Sequence, residues 1–362
     1  MNFKGSESLK LMAYPTDGES TKDARRLLTN AYGRRDIQCS RSATSSGAFM
    51  HFKGLSYFAF SGCAALAALP AAAARAQQPD VSKAPVGLIR LTEGVLMLIG
   101  AGGNIGVSIG EDGIFLVDDQ YAPLTPKILA VLDSIDKRSV RFVLNTHWHG
   151  DHTGGNENMG KAGALIVAHD NVRKRMSVEQ FIKAFGDTVP PSPKGGLPVV
   201  TFTEAVTFHL NDDEIHAFHV DPAHTDGDAV VWFRKSNVIH MGDLYFNGLY
   251  PFIDLSSGGS VQGMITAVDR VSAMINDNTR VIPGHGPLSN RAELKAYAEM
   301  LTGIRDRVRK SIVAKKTLQQ TLAAKPSEQW DEKWGKGFMK PDNFVETVYE
   351  SLVAERAKAR RK

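Results

Sequence analysis

Residues 147–152 read His147-Trp148-His149-Gly150-Asp151-His152, so four metal-binding side chains fall within six positions. They follow an apolar run, 140–144, that predicts a strand. Side chains two apart on extended backbone point the same way, so His147 and His149 can reach one ion. Gly150 turns the chain, after which Asp151 and His152 can reach a second. Imidazole suits zinc and its transition-metal neighbours, and the carboxylate adds a harder donor. Two histidines alone would say little. Three with an aspartate in one strand-end loop, followed by Gly154-Gly155, point to a fold that opens its strand ends onto metal.

Three other strand ends repeat the form of apolar strand, small-residue turn and ligand. Ala223-His224-Thr225-Asp226-Gly227-Asp228 presents His224, Met241-Gly242-Asp243 presents Asp243, and Pro283-Gly284-His285-Gly286-Pro287 presents His285. Short apolar runs at 95–99, 105–109 and 114–117, separated by glycine turns, predict strands. Further strands are expected at 165–168, 199–210, 214–220, 228–234 and 238–241. Helical spacing predicts helices over 124–135, 170–186 and 260–274. Residues 187–198, with four prolines and two glycines, predict a loop. A helix starts at Asn290, with Glu293 completing a capping-box pattern, and a last helix covers about 342–358. Mixed α and β with long strand runs predicts sheets covered by helices.

The set His147-x-His149-x-Asp151-His152, Gly242-Asp243 and Gly284-His285-Gly286 resembles the metallo-β-lactamase superfamily, over roughly residues 87–312. The resemblance implies an α/β fold, an αββα sandwich with the metals in a groove at one edge and extra C-terminal helices beyond the minimal fold. It implies a first site of His147, His149 and His224, a second of Asp151, His152 and His285, and Asp243 bridging both. The cofactor expected is two Zn2+ per chain, with iron or manganese as alternatives. Three ligands per metal and one bridge leave room for water, as a catalytic site requires. The resemblance implies that ions held there would lower the pKa of water from about 16 toward about 7, so that hydroxide could attack a carbonyl or similar electrophile, and would polarise the oxygen where charge develops. Asp151 is expected to orient the hydroxide and shuttle a proton. Tyr245, two residues after Asp243, is expected to donate to the developing oxyanion.

Departures from the family pattern narrow the branch. Lactamase subclasses with a cysteine ligand carry it at the position of Asp243, and another subclass lacks the bridging aspartate. The chain has two cysteines, Cys39 and Cys63, and none in 77–362. The body therefore has no disulfide, thiolate ligand or cysteine nucleophile. The ligand set resembles glyoxalase-II-type thioesterases, lactonases and related hydrolases, which cleave ester, thioester, lactone or lactam bonds. A β-lactamase proper, or promiscuous lactam turnover, is the alternative. A di-iron redox or metal-binding protein is the alternative of another class, although a flavin partner domain, which some relatives of that kind use, is not expected here. Asp118 or Asp119, ending the 114–117 strand, is expected to support the metal loop, with a plain turn as the other reading. Asp226 and Asp228 are expected to pin the His224 loop or serve the turn, and Trp148 to pack.

The N-terminus reads differently from the body. Residues 55–74 carry no charge, Lys53 precedes them, and Ala74-Arg75-Ala76 forms a small-residue cleavage site. Together these predict a signal peptide over 50–76 and a periplasmic or secreted product. Residues 1–49 are polar and aperiodic, and translation is expected to begin at Met50, which makes them a disordered or spurious leader. The catalytic domain is expected over 77–312 and a helical extension over 313–362. Of 43 Lys/Arg and 39 Asp/Glu, ten and five lie in residues 1–76, so the body, 33 against 34, is near neutral. That balance offers no nucleic-acid footprint. The partner expected is a small-molecule substrate, with no stable membrane span after signal cleavage. The oligomeric state stays open.

Overall fold

Strand β2 (Val95–Ile99) is buried on both faces. Val95 and Met97 point into one core, Leu96 and Leu98 into another. A side-chain period of two makes this a strand covered on either side. The computed structural model describes residues 80–360 and shows both coverings. The expectations for residues 1–76 lie outside the described residues.

One sheet runs β1 (Gly87–Arg90), β2, β3 (Ile105–Gly110), β4 (Gly113–Val117), β5 (Val140–Asn145), β6 (Leu165–His169) and, after a separate hairpin of β7 (Gln180–Ile182) and β8 (Asp187–Val189), β9 (Val200–Phe202). Its first four strands pair antiparallel and β4, β5, β6 and β9 pair parallel. The second sheet runs β10 (Ala205–Leu210), β11 (Asp213–His219), β12 (Ala229–Phe233), β13 (Val238–His240), β14 (Arg280–Ile282) and β15 (Ser289–Asn290).

Met97, Phe115, Val117 and Leu144 of the first sheet meet Ile215, Val231, Phe233 and Ile282 of the second. The outer face of the first sheet, Leu96, Leu98 and Leu116, packs on Leu124, then on Ile128 and Leu132 of α1 (Thr125–Ile135). Two short helices, α2 (Gly150–Thr153) and α3 (Asn156–Lys161), follow β5, and α4 (Asp170–Met176) follows β6. The outer face of the second sheet packs on α5 (Val261–Met274) and α6 (Arg291–Val313). The order helix, sheet, sheet, helix is the αββα sandwich. After α6 come α7 (Leu318–Ala323), α8 (Glu328–Trp334) and α9 (Pro341–Ala359). Phe344, Val345, Val348 and Leu352 of α9 enter the same core as α5 and α6. The Tyr250 hydroxyl donates to Asp331 Oδ1 of α8 at 2.8 Å.

The structure departs from the expected elements at four places. The helix expected over 170–186 stops at Met176, and the rest forms the β7–β8 hairpin, where Phe181 and Ile182 favour extended backbone. Residues 187–198 are not wholly loop, since β8 occupies Asp187–Val189. The single strand expected over 199–210 breaks after Phe202, and its halves join different sheets. The capping box at Asn290 is half formed. Asn290 accepts from the Glu293 N–H at 3.1 Å, but the Glu293 carboxylate turns instead to the Ser289 hydroxyl at 2.8 Å. Among the described residues no helix is long and apolar enough to cross a membrane.

Candidate metal centre

The seven expected ligands converge. His147, His149, His224 and Asp243 form one buried group and Asp151, His152 and His285 another, with the candidate ligand atoms of each group within 4.8 Å of one another. The first four motif residues follow the end of β5 and enter α2. His224 follows β11, Asp243 follows β13 and His285 follows β14, so both sheets deliver ligands at the same edge. Gly284 permits the approach, because a Cβ there would lie 2.1 Å from Asp243 Oδ1.

His149, His152 and His224 are each oriented by a partner on the outer side. His152 Nδ1 donates to Asp118 Oδ2 at 2.8 Å, leaving Nε2 to face Asp243 Oδ1 at 3.1 Å. Asp118 also accepts the Thr146 N–H at 2.8 Å, from a backbone φ of 65°. Aspartate is among the side chains that tolerate that left-handed region. Asp118 therefore supports the loop, while Asp119 accepts the Gly155 N–H at 2.9 Å. His224 Nδ1 donates to the Phe252 carbonyl at 2.8 Å, and the His224 N–H is held by Asp228 Oδ2 at 2.7 Å. Asp226 instead pairs with Arg175 at 2.6 Å.

His149 has a partner that sequence reasoning missed. Its Nε2 lies 3.2 Å from Asp254 Oδ2, and Asp254 is buried. Asp254 also accepts from Ser256 and Ser257, and Ser257 Oγ receives the Trp148 indole N–H at 3.1 Å. Trp148 thus packs, as expected. No local pattern in Asp254-Leu255-Ser256-Ser257 points to a histidine 105 residues earlier. Asp254→Asn is expected to weaken metal binding about 10–100-fold, as loss of an outer-shell partner does, read by competition against a chromogenic chelator.

The inward-facing atoms fit a cation. With their outer nitrogens donating to Asp254 and the Phe252 carbonyl, His149 Nδ1 and His224 Nε2 face each other as lone pairs at 2.9 Å. His147 Nε2 is buried without a hydrogen-bond partner among the described residues. Burial holds the His147 imidazole well below its usual pKa and His224 down at about 4, so both are neutral donors. Around His152, burial is outweighed by Asp243, Asp151 and Asp118, which raise it well above the usual histidine range. The same carboxylates that favour a proton there would favour a metal ion. Nitrogen and carboxylate donors suit zinc and its neighbours.

Tyr245 is a correction. It is 0% exposed, its ring packs on Tyr297 at 4.9 Å and its hydroxyl bonds Ser289 Oγ at 2.8 Å. Burial raises its pKa. A side chain consumed by the α6 core offers nothing to an oxyanion. Tyr245→Phe is expected to leave kcat/KM within about twofold and to cost about 1 kcal/mol of stability, the worth of one hydrogen bond, checked by kinetics and thermal unfolding. Residues 246–252 are likewise mostly packing. Tyr250 is buried, and Phe246 stacks on His285 at 5.1 Å.

The sequence model of the metallo-beta-lactamase superfamily matches residues 81–299, more than half of the chain. The chain belongs to the metallo-β-lactamase superfamily. It is a metal-dependent hydrolase of that superfamily. It is 24% identical over 190 residues to a metallo-beta-lactamase type 2 of Bacillus cereus, covering 52% of this chain and 69% of that one. It is 28% identical over 182 residues to a hydroxyacylglutathione hydrolase of Nitrosococcus oceani, covering 46% of this chain and 60% of the relative. Among solved structures, the stereoselective inverting sec-alkylsulfatase Pisa1 from Pseudomonas sp. superposes with a TM-score of 0.55 at 16% identity, over 73% of this chain and 50% of its own. That likeness shows the fold.

Proposed function

We propose that this superfamily member is an exported dinuclear-metal hydrolase, with zinc as the metal, that cleaves an ester, thioester, lactone or lactam bond. One observation carries the dinuclear reading. The Asp243 carboxylate divides between the two groups, with Oδ1 3.1 Å from His152 Nε2 and 3.4 Å from His285 Nε2. Its Oδ2 lies 3.5 Å from His224 Nε2 and 3.8 Å from His147 Nε2. One oxygen per group is what a shared ligand needs. His147, His149 and His224 would hold one ion, Asp151, His152 and His285 the other.

Two ions held there supply Lewis acidity and acidify water. The protein's own residues do the rest. Asp118, Asp254 and the Phe252 carbonyl keep the imidazole nitrogens aimed inward. Asp151 has the most exposed side chain of the three in its group, at 11% against 0% for His152 and 2% for His285. Its carboxylate would orient the attacking water and take up its proton. The export reading rests on the predicted signal peptide.

The test is metal analysis of the purified protein with a screen of lactam, lactone, thioester and ester substrates. About two zinc ions per chain and turnover of one class support the reading. A coloured protein holding iron, with no hydrolysis, overturns it in favour of the redox alternative.

A further inference from the structure

The β7–β8 hairpin belongs to neither sheet and carries apolar side chains on its outside. Phe181 is 57% exposed and Phe185 42%, with Val178 also exposed just before β7. Of these, Phe185 is the one that adjoins the metal centre. The Phe185 ring lies 4.9 Å from the ring of Phe252. Phe252 is buried, and its ring lies 5.7 Å from that of His149 and 5.8 Å from that of His224. A single ring therefore separates an exposed phenylalanine from two candidate ligands.

The hairpin is fastened to the loop that positions His149. The Lys183 N–H donates to Ser256 Oγ at 3.3 Å, and the Ser256 hydroxyl donates to Asp254 Oδ1 at 2.5 Å. The Lys183 ammonium pairs with Glu350 of α9 at 2.9 Å. Phe185 is thus held beside the metal groups by bonds at its base, while part of its ring stays in water.

We propose that Phe185, backed by Phe252, receives an extended apolar group of the substrate, so that the compound hydrolysed bears a medium-chain acyl or aryl group. The proposal rests on the hydrolase reading above for the word substrate, but its test does not need turnover. The zinc-loaded full chain is titrated calorimetrically with acetate, hexanoate and decanoate. The carboxylate is the constant part of each probe and the tail is the variable.

Each fully buried methylene strengthens binding about fourfold. Decanoate, whose tail is only partly buried, is expected to bind at least about tenfold more tightly than acetate. Phe185→Ser is expected to bring that ratio to within about threefold of one, and Phe185→Leu, which keeps apolar area, to restore most of it. Leu165→Ser, an exposed apolar position at the start of β6, keeps the original ratio and controls for general greasiness. Equal binding of acetate and decanoate, or an unchanged ratio in Phe185→Ser, overturns the proposal. A chain-length preference with no turnover of any ester-type bond keeps the subsite and removes the hydrolase reading. Turnover without the preference does the reverse.

Discussion

Asp243→Ala is expected to lower both metal content and turnover, with kcat/KM falling by more than the roughly 100-fold upper figure for loss of an outer-shell partner. The expectation follows from where the two oxygens point. Oδ1 serves the His152 and His285 side and Oδ2 the His147 and His224 side. Asp151, the other carboxylate of the seven, is grouped with His152 and His285. Removing it strips one ligand from each proposed ion and leaves two sets of imidazoles facing each other with less negative charge to offset the cations. Asp243→Asn separates charge from shape, since it keeps an oxygen but loses the ionised group. Atomic emission on the purified variants, run beside kinetics, reads both effects. Two ions and full turnover in Asp243→Ala would remove the bridging assignment.

Chelation is expected to lower the melting temperature by about 10 °C. An ion present at a thousand times its dissociation constant stabilises the folded state by about 4 kcal/mol. In domains of this size each kcal/mol moves the midpoint by roughly 2–4 °C. The buried donors give the reason. Asp151, Asp243 and five histidines sit together at the sandwich edge. A cation would offset the lone pairs and negative charge that these residues turn toward one another. Calorimetry with and without EDTA, followed by zinc re-addition, checks the shift and its reversal. An unchanged midpoint would mean that the cluster binds metal too weakly to be a resident site.

The ligand set was legible because its members lie in short turns rich in small residues just after apolar strands, a pattern carried in a few neighbouring positions. His147, His149, Asp151, His152, His224, Asp243 and His285 all have that local signature, and the structure brings them together. The continuous apolar runs at 95–99 and 114–117, set between glycine turns, likewise announced strands. What escaped depends on distant pairing. Asp254 matters only because a loop before α5 folds back on His149. Asp118 and Asp119 are neighbours of the same type, and only the left-handed turn decides which of them reaches His152. Tyr245 looked available from its spacing to Asp243, but Ser289 and Tyr297 claim it. The short helices α2, α3, α7 and α8 span at most seven residues, too few for a period to show.

The two sheets divide the sequence cleanly, the first ending at Phe202 and the second beginning at Ala205. Four of the seven ligands come from the earlier half and three from the later, and each group draws on both halves. The centre is therefore a seam, not a property of either half. A change deep in the sheet–sheet core, far from any ligand, that slides one half against the other by a fraction of an ångström would spoil both groups at once. Catalysis in such a protein doubles as a gauge of how well its two halves are seated.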